Sequence, residues 1–247
     1  MSGKIALLSD VHGNILALEA VLLELDRLEI KRESTYVLGD LVGYGPRPNE
    51  VLECLMNENI ISILGNYDEA VGFYLPTCGC KENSIRDKMR MENALGWTSQ
   101  TVTESNKAYL RSLEESLEIK EHGIHICLTH GSPFSINEYV YEEDMEKHDD
   151  ILQEVECTIV AMGHTHIPFV KRFGNRILVN PGSVGRPKDG DNRASFIVIE
   201  VKDDPDLLIE IEVIRLSYDY HTVAREIRES DLLDEFAQHI ELGLVDE

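Results

Sequence analysis

No stretch of apolar residues in this chain approaches the ~20 needed to cross a bilayer. The start, Met1-Ser-Gly-Lys4, runs directly into a strand-like segment with no signal-peptide core. The cysteines, Cys54, Cys78, Cys80, Cys127 and Cys157, are odd in number and lack the spacing of a disulfide framework, which favours reduced thiols. Positive charge is scarce: 23 Lys and Arg stand against 46 Asp and Glu, a formal net charge of −23. Such a surface repels polyanions, which excludes long nucleic acid and anionic membrane faces as high-affinity partners. Neither an internal repeat nor a low-complexity segment is present. Together these absences point to a soluble, cytoplasmic protein.

What the chain does have is a series of short islands rich in Asp, His and Asn: Asp10-Val-His12, Gly39-Asp40, Gly65-Asn66, His130 and His164-Thr-His166. Most follow an apolar run of strand type, at residues 4–9, 35–38, 60–64, 124–129 and 158–163. In an open α/β sheet the carboxyl ends of the strands share one rim, where ligands bind, so the islands are expected to meet there as one metal centre.

Residues 4–66 read as strand, helix, strand, helix, strand, a parallel βαβαβ half. Asn14 can cap a helix bearing Leu18, Val21, Leu22 and Leu25, and Pro48 suits the first turn of a helix through Val51, Leu52 and Leu55. Residues 69–118, with helical stretches near 85–95 and 105–113, interrupt two ligand-bearing strands and are a candidate helical cap. After the His130 strand come a helix through 141–155 and the His164 strand. Four β-type segments follow, at 167–173, 176–180, 194–201 and 208–216, which suggest antiparallel strands of a second sheet. The C-terminal segment, 217–247, reads as helical and acidic, with Glu226, Glu229, Asp231, Asp234 and Glu235 on a solvated face. The whole, 1–247, is expected to form one domain.

Asp10 and His12 are separated by one residue, so in extended chain they point to the same side and can grip one ion; His164 and His166 repeat that geometry with imidazoles. Asp40, beside Gly39, can bridge two cations with its two oxygens, whereas His130 taken alone reads as a satisfied core histidine. The donors are hard or borderline with no thiolate among them, favouring Mn, Fe, Zn or Ni over Ca or an iron–sulfur cluster. Arg186, Lys188 and Arg193 read as turn and rim charges, with phosphate contact as the alternative. Cys78-Gly-Cys80 reads as packing in the cap, with a redox or accessory-metal role as the minority alternative.

In this order the islands resemble the calcineurin-like metallophosphoesterase superfamily, whose motif series is Asp-x-His, Gly-Asp, Gly-Asn-His-Asp, Gly-His and Gly-His-x-His. Here the series stands as Asp10-Val-His12-Gly-Asn14, Gly39-Asp40-Leu-Val-Gly43, Gly65-Asn66-Tyr67-Asp68, Thr129-His130-Gly131 and Gly163-His164-Thr-His166, within about residues 4–200. The segment Asn180-Pro-Gly-Ser-Val-Gly185 is similar to a loop of the small bacterial and archaeal phosphodiesterases of that superfamily. The resemblance implies an α/β fold, a two-sheet sandwich flanked by helices. It also implies two divalent ions, manganese first, with Fe, Zn or Ni as alternatives. One ion would be held by Asp10, His12 and His166, the other by Asn66, His130 and His164, and Asp40 would bridge them.

A hydroxide between the ions would attack phosphorus in a small phosphorylated substrate, a diester or nucleotide. Asp40, Asn66, Tyr67, Asp68 and His130 would form the catalytic group, with Asn14, Tyr67 and Arg186 facing substrate. The departure is Tyr67, where the family has a His that protonates the leaving group or holds the phosphate; a phenol of ordinary pKa ~10 is a weaker acid near neutrality. Asp68, which would orient that His, is then left to cap a turn. A rival reading is a weakly catalytic or non-catalytic metal-binding scaffold for protein partners, the use to which the retromer subunit puts this fold. A homo-oligomer is compatible with either.

Overall fold

The computed structural model describes residues 3–81, 84–202 and 209–244. The elements run β1 (Gly3–Leu8), α1 (Ile15–Arg27), β2 (Thr35–Val37), α2 (Pro48–Asn57), β3 (Ile61–Ser62), α3 (Asn66–Gly72), α4 (Ile85–Thr101), α5 (Glu104–Leu110), β4 (Ser116–Glu121) and β5 (Ile124–Thr129). They continue α6 (Met145–Glu154), β6 (Ile159–Ala161), β7 (Phe169–Phe173), β8 (Arg176–Asn180), β9 (Ala194–Val201), β10 (Ile209–Leu216), α7 (Tyr220–Arg228) and α8 (Asp234–Leu242). Among the described residues no helix is long and apolar enough to cross a membrane.

Two mixed five-stranded sheets result, ordered β10-β9-β1-β2-β3 and β4-β5-β6-β8-β7. Side chains alternate across a strand, and both faces of β1 are apolar, so β1 is covered on both sides. Ile5 and Leu7 meet Ile126, Leu128, Ile159 and Val179 of the other sheet. Ala6 and Leu8 instead meet Leu18, Leu22, Val51 and Phe236 from α1, α2 and α8. On the far face of the second sheet, Val160 and Leu178 pack on Ile151 of α6. The layers are therefore helices, sheet, sheet, helix, as the sequence led one to expect. Asn14 caps α1 by accepting from the Ala17 amide at 3.1 Å, and Pro48 opens α2.

Several expectations need correction. The four late β-segments do not share one sheet. β7 and β8 form a hairpin beside β6, whereas β9 and β10 return to the first sheet, β9 pairing antiparallel with β1. Period-two patterning records how a strand is buried but not which neighbour it pairs with. The interruption at 69–118 carries α4 and α5 but ends inside β4, an edge strand paired antiparallel with β5.

The C-terminal helices are not merely a solvated face. Phe236, Ala237 and Ile240 are buried in the main core, Glu226 pairs with Arg47, and Glu235 pairs with Arg90 at 2.7 Å. Leu208 of the last expected strand, Glu82 and Asn83 of the interruption, and Val245 to Glu247 of the C-terminal segment lie outside the described residues. Finally, Cys127 and Cys157 are joined as a disulfide, against the expectation of free thiols; they are distant in sequence, but Cys127 lies in β5 and Cys157 just before its parallel neighbour β6.

Candidate metal centre

Every island lies just beyond a strand or at the start of a helix, and backbone hydrogen bonds stitch the islands together. The Asp10 amide donates to Gly39 O at 3.0 Å, His12 N to Asp40 O at 2.9 Å, Gly163 N to His130 O at 2.7 Å, and Gly185 N to Asp10 O at 3.0 Å. The loops approach so closely that a Cβ on Gly65 would stand 2.0 Å from the Asp40 amide nitrogen. The shared direction of Asp10 and His12 does not come from extended chain. Asp10 (φ 54°), His12 (φ 47°), Asp40 (φ 53°), His164 (φ 64°) and His166 (φ 62°) all adopt left-handed backbone, at a cost of about 1–2 kcal/mol each. The cross-loop hydrogen bonds hold them there.

Two buried triads form, Asp10 with His12 and His166, and Asp40 with His130 and His164. Three of the imidazoles are locked in the same sense. Nδ1 of His12 lies 2.9 Å from Val42 O, that of His130 2.7 Å from Leu38 O, and that of His166 2.5 Å from Arg186 O. A carbonyl only accepts, so each Nδ1 carries the proton and each Nε2 is aimed inward. Asp40 lies between the triads, Oδ2 3.6 Å from His12 Nε2 and Oδ1 3.5 Å from His130 Nε2. Asn66 joins the second triad: its amide nitrogen donates to Cys78 O at 2.9 Å, so its oxygen must be the atom 3.0 Å from His130 Nε2.

The donor set fits divalent cations. Among the described residues, Asp10 Oδ1 and His164 Nε2 are buried with no hydrogen-bond partner. His12 Nε2 and His166 Nε2 face one another at 3.2 Å, two lone pairs with no proton between them. Burial holds His12 down to about 3 and His164 to about 3, and burial with Lys188 and Arg186 holds His166 well below its ordinary value. His130 behaves differently: burial opposes its charge, yet Asp40 beside it lifts it to about 9. Asp40, despite burial, is kept low by His130 and His12.

The remaining expected residues divide. Tyr67 is buried, its hydroxyl 2.5 Å from that of Tyr44, and burial next to Tyr44 pushes its pKa well above the phenol range. Asp68 does not orient an acid: it accepts from the amides of Leu41 (2.9 Å), Val42 (3.2 Å) and Gly65 (3.0 Å), tying the Asp40 loop to α3, and burial with Asp40 raises it to about 7. Asn14 spends its amide on the α1 cap, on Gly185 O at 2.9 Å and on the Tyr218 hydroxyl at 3.2 Å, so contact with substrate would require breaking these.

Arg186 is not a rim charge. It is buried, its guanidinium 3.8 Å above the Tyr44 ring and 3.2 Å from His239 Nδ1. Its shelter comes from α8, far along the sequence, so nothing near Arg186 in the chain announced it. Sequence reasoning also missed Tyr139, whose ring centroid is 4.2 Å from that of His164. A cavity of about 570 Å³ opens over both triads, lined by His12, Asp40, His164, His166, Tyr67, Arg186 and Lys188, and walled by Cys80, Ser84, Asp87 and Met91 of the interruption. Lys188 is pulled down to about 8 by burial and by Arg186.

Residues 4–204 match the calcineurin-like phosphoesterase superfamily domain. The chain belongs to that superfamily. Within it, the chain is 32% identical over 260 residues to an uncharacterised protein of Methanocaldococcus jannaschii, covering 98% of this chain and 99% of that one. It is 25% identical over 211 residues to phosphodiesterase YfcE of Escherichia coli, covering 80% of this chain and 87% of that one. The crystal structure of a metallophosphoesterase from Sphaerobacter thermophilus superposes with a TM-score of 0.78 at 28% identity, over 99% of this chain and 100% of the other. A Pyrococcus horikoshii protein of 24% identity shares the fold at a TM-score of 0.81, over 97% of this chain and 98% of that one. As a calcineurin-like phosphoesterase, this chain keeps buried Asp/His clusters suited to a dinuclear metal site.

Proposed function

We propose that the chain is a dinuclear metal-dependent hydrolase of phosphodiester or nucleotide-type substrates. The observation that carries this reading is the set of three imidazoles whose Nδ1 protons are bound to carbonyls, leaving their Nε2 atoms aimed together at Asp10 and Asp40. Asp10, His12 and His166 would hold one ion, His130, His164 and Asn66 the other, and Asp40 would touch both. When bound, the ions supply charge to the phosphoryl oxygens and acidify a water to serve as nucleophile.

The chain's own residues do the rest. Arg186 and Lys188 bring positive charge to the cavity wall, which draws in a phosphate despite the net charge of −23. Asp68 and the carbonyls of Leu38, Val42 and Arg186 fix the ligands, so no reorganisation is needed when charge develops. Tyr67 donates a hydrogen bond but is a poor acid, which favours substrates whose leaving group departs without full protonation. The wall formed by Cys80, Ser84, Asp87 and Met91 limits substrate size, a cap-like role that favours small phosphorylated molecules over long nucleic acid.

The test is to strip the protein with a chelator, restore Mn²⁺, count ions per chain, and assay bis(p-nitrophenyl) phosphate, nucleotides, dinucleoside polyphosphates, cyclic nucleotides and monoesters. Two ions per chain with metal-dependent turnover is the expected result. Two ions with no turnover on any of these would favour the scaffold reading, and failure to bind two ions would overturn the dinuclear centre.

A further inference from the structure

Away from the rim, the outer face of the second sheet carries another group of ligand atoms. Along β5, Ile124, Ile126 and Leu128 enter the core between the sheets, so His125 and Cys127 point to the opposite face. The antiparallel register sets Glu118 of β4 directly across from Cys127, on that same face. Cys157 lies just before β6, the parallel neighbour of β5, and reaches Cys127 with the two Cα atoms 5.8 Å apart. His125 Nε2 then stands 2.8 Å from Glu118 Oε2 and 3.4 Å from Cys157 Sγ. One ligand atom from each of the four lies within 4.8 Å of all the others. The sulfurs are buried, the imidazole half-buried and the carboxylate exposed, and β4 is an edge strand, so the cluster is open to solvent on the glutamate side. Glu118 and Cys127 also border a cavity of about 210 Å³.

A disulfide that only fastens β5 to the start of β6 has no need of an imidazole and a carboxylate converging on its sulfurs. We propose that, when this disulfide is reduced, Cys127, Cys157, His125 and Glu118 bind one zinc-class ion, separate from the dinuclear centre. Two thiolates with an imidazole and a carboxylate form the borderline-soft, four-donor set that suits zinc, in contrast to the all-nitrogen-and-oxygen set at the rim. A dithiol reductant delivers two electrons and two protons to the S–S bond, giving two thiols and an oxidised dithiol. The ion then displaces the two thiol protons and takes both thiolates. Disulfide and metal are therefore mutually exclusive.

The test uses full-length protein, metal-stripped, in reduced and oxidised forms, titrated with Co²⁺ as the spectroscopic probe. Thiolate ligation gives a near-ultraviolet sulfur-to-cobalt charge-transfer band, which the donors of the rim cannot produce. The band is expected in reduced protein and in reduced Cys78→Ser/Cys80→Ser, and is expected to be missing from oxidised protein and from Cys127→Ser/Cys157→Ser. His125→Ala, which leaves both sulfurs in place, should weaken Zn²⁺ binding to the reduced protein, read by competition with the bound Co²⁺, by about tenfold or more. A reduced protein without the band would overturn the proposal. So would a band that survives in Cys127→Ser/Cys157→Ser but vanishes in Cys78→Ser/Cys80→Ser, or unchanged Zn²⁺ affinity in His125→Ala.

Discussion

The two halves of the rim are built from the same parts and are set differently before any cation arrives. In the Asp10 half, His12 and His166 present facing lone pairs, and burial, with Arg186 nearby, keeps either ring from taking a second proton. In the Asp40 half, His130 sits 3.0 Å from the Asn66 oxygen and 2.7 Å from Leu38 O, both acceptors, and Asp40 lifts it to about 9, which favours its charged form. In the first half both facing rings are held neutral, whereas in the second His130 is held toward its charged form and His164 is held neutral. Similar ligand lists can thus prescribe different order, affinity and pH dependence of filling, according to the charges behind them.

The change expected to do most to that comparison is Asp40→Asn, which removes the carboxylate common to both halves. Turnover of a diester should fall by about three orders of magnitude or more, with reduced occupancy of both positions and an unchanged fold by circular dichroism. Near-normal turnover with two ions bound would dissolve the distinction between the halves.

Acidity probes the difference directly. Filling the Asp40 half should release the His130 proton, so affinity there should rise about tenfold per pH unit up to about pH 9, while the Asp10 half fills with little pH dependence near neutrality. Calorimetric titrations in buffers of different ionisation enthalpy count the protons. The same shift has a stability sign. A raised folded-state value stabilises the metal-free protein below the unfolded histidine value of about 6.5, and that contribution is lost as pH climbs through about 9. Thermal melts of chelated protein across that window should show the decline.

Arg186→Met sharpens the contrast with effects of opposite sign. Removing a cation next to His12 and His166 should tighten ion binding in the Asp10 half by about three- to tenfold, yet raise the KM for a phosphodiester by a similar factor. Loss of metal from the Asp10 half in this variant would show that Arg186 supports the ligands rather than opposing their cation.

The smallest effect should come from Tyr67→Phe, because the phenol is held far above its ordinary pKa by burial and its hydroxyl is engaged by Tyr44. Hydrolysis of a p-nitrophenyl diester should change by less than about threefold. Tyr67→His should speed substrates with poor leaving groups if the new ring finds an orienting partner. A plot of log rate against leaving-group pKa for the three proteins reads this out. A flat line in the parent would reveal an effective proton donor elsewhere in the cavity.

The donor residues were legible in the sequence because most of their islands follow an apolar run, and a run of that type tells the reader where a strand must end. That they would meet on one rim was expected, but the backbone conformation that brings them together was not legible. Asp10 and His12 turn the same way through left-handed backbone stabilised by Gly39 and Asp40, partners invisible at a spacing of one residue. Asp68, placed in the catalytic group by resemblance, accepts from the amides of Leu41 and Gly65, loop contacts that no local spacing announced. Arg186 was underestimated because α8 shelters it. The placement of β9 beside β1 could not be read either, since its nearly continuous burial suits a central strand of any sheet. Cys127 and Cys157 meet only after β5 and β6 are side by side.

The left-handed backbone at Asp10, His12, Asp40, His164 and His166 also restricts the alphabet open to these positions. Among residues with a side chain, Asp, Asn and His visit that region most readily, and β-branched residues hardly at all. A saturation library here would be filtered twice, first by conformation and then by chemistry. Valine or isoleucine should drop out even in a screen that scores only the yield of folded protein, whereas asparagine should pass the first filter and fail the second. The vocabulary of the centre was limited by its main chain before any ion could choose among the words.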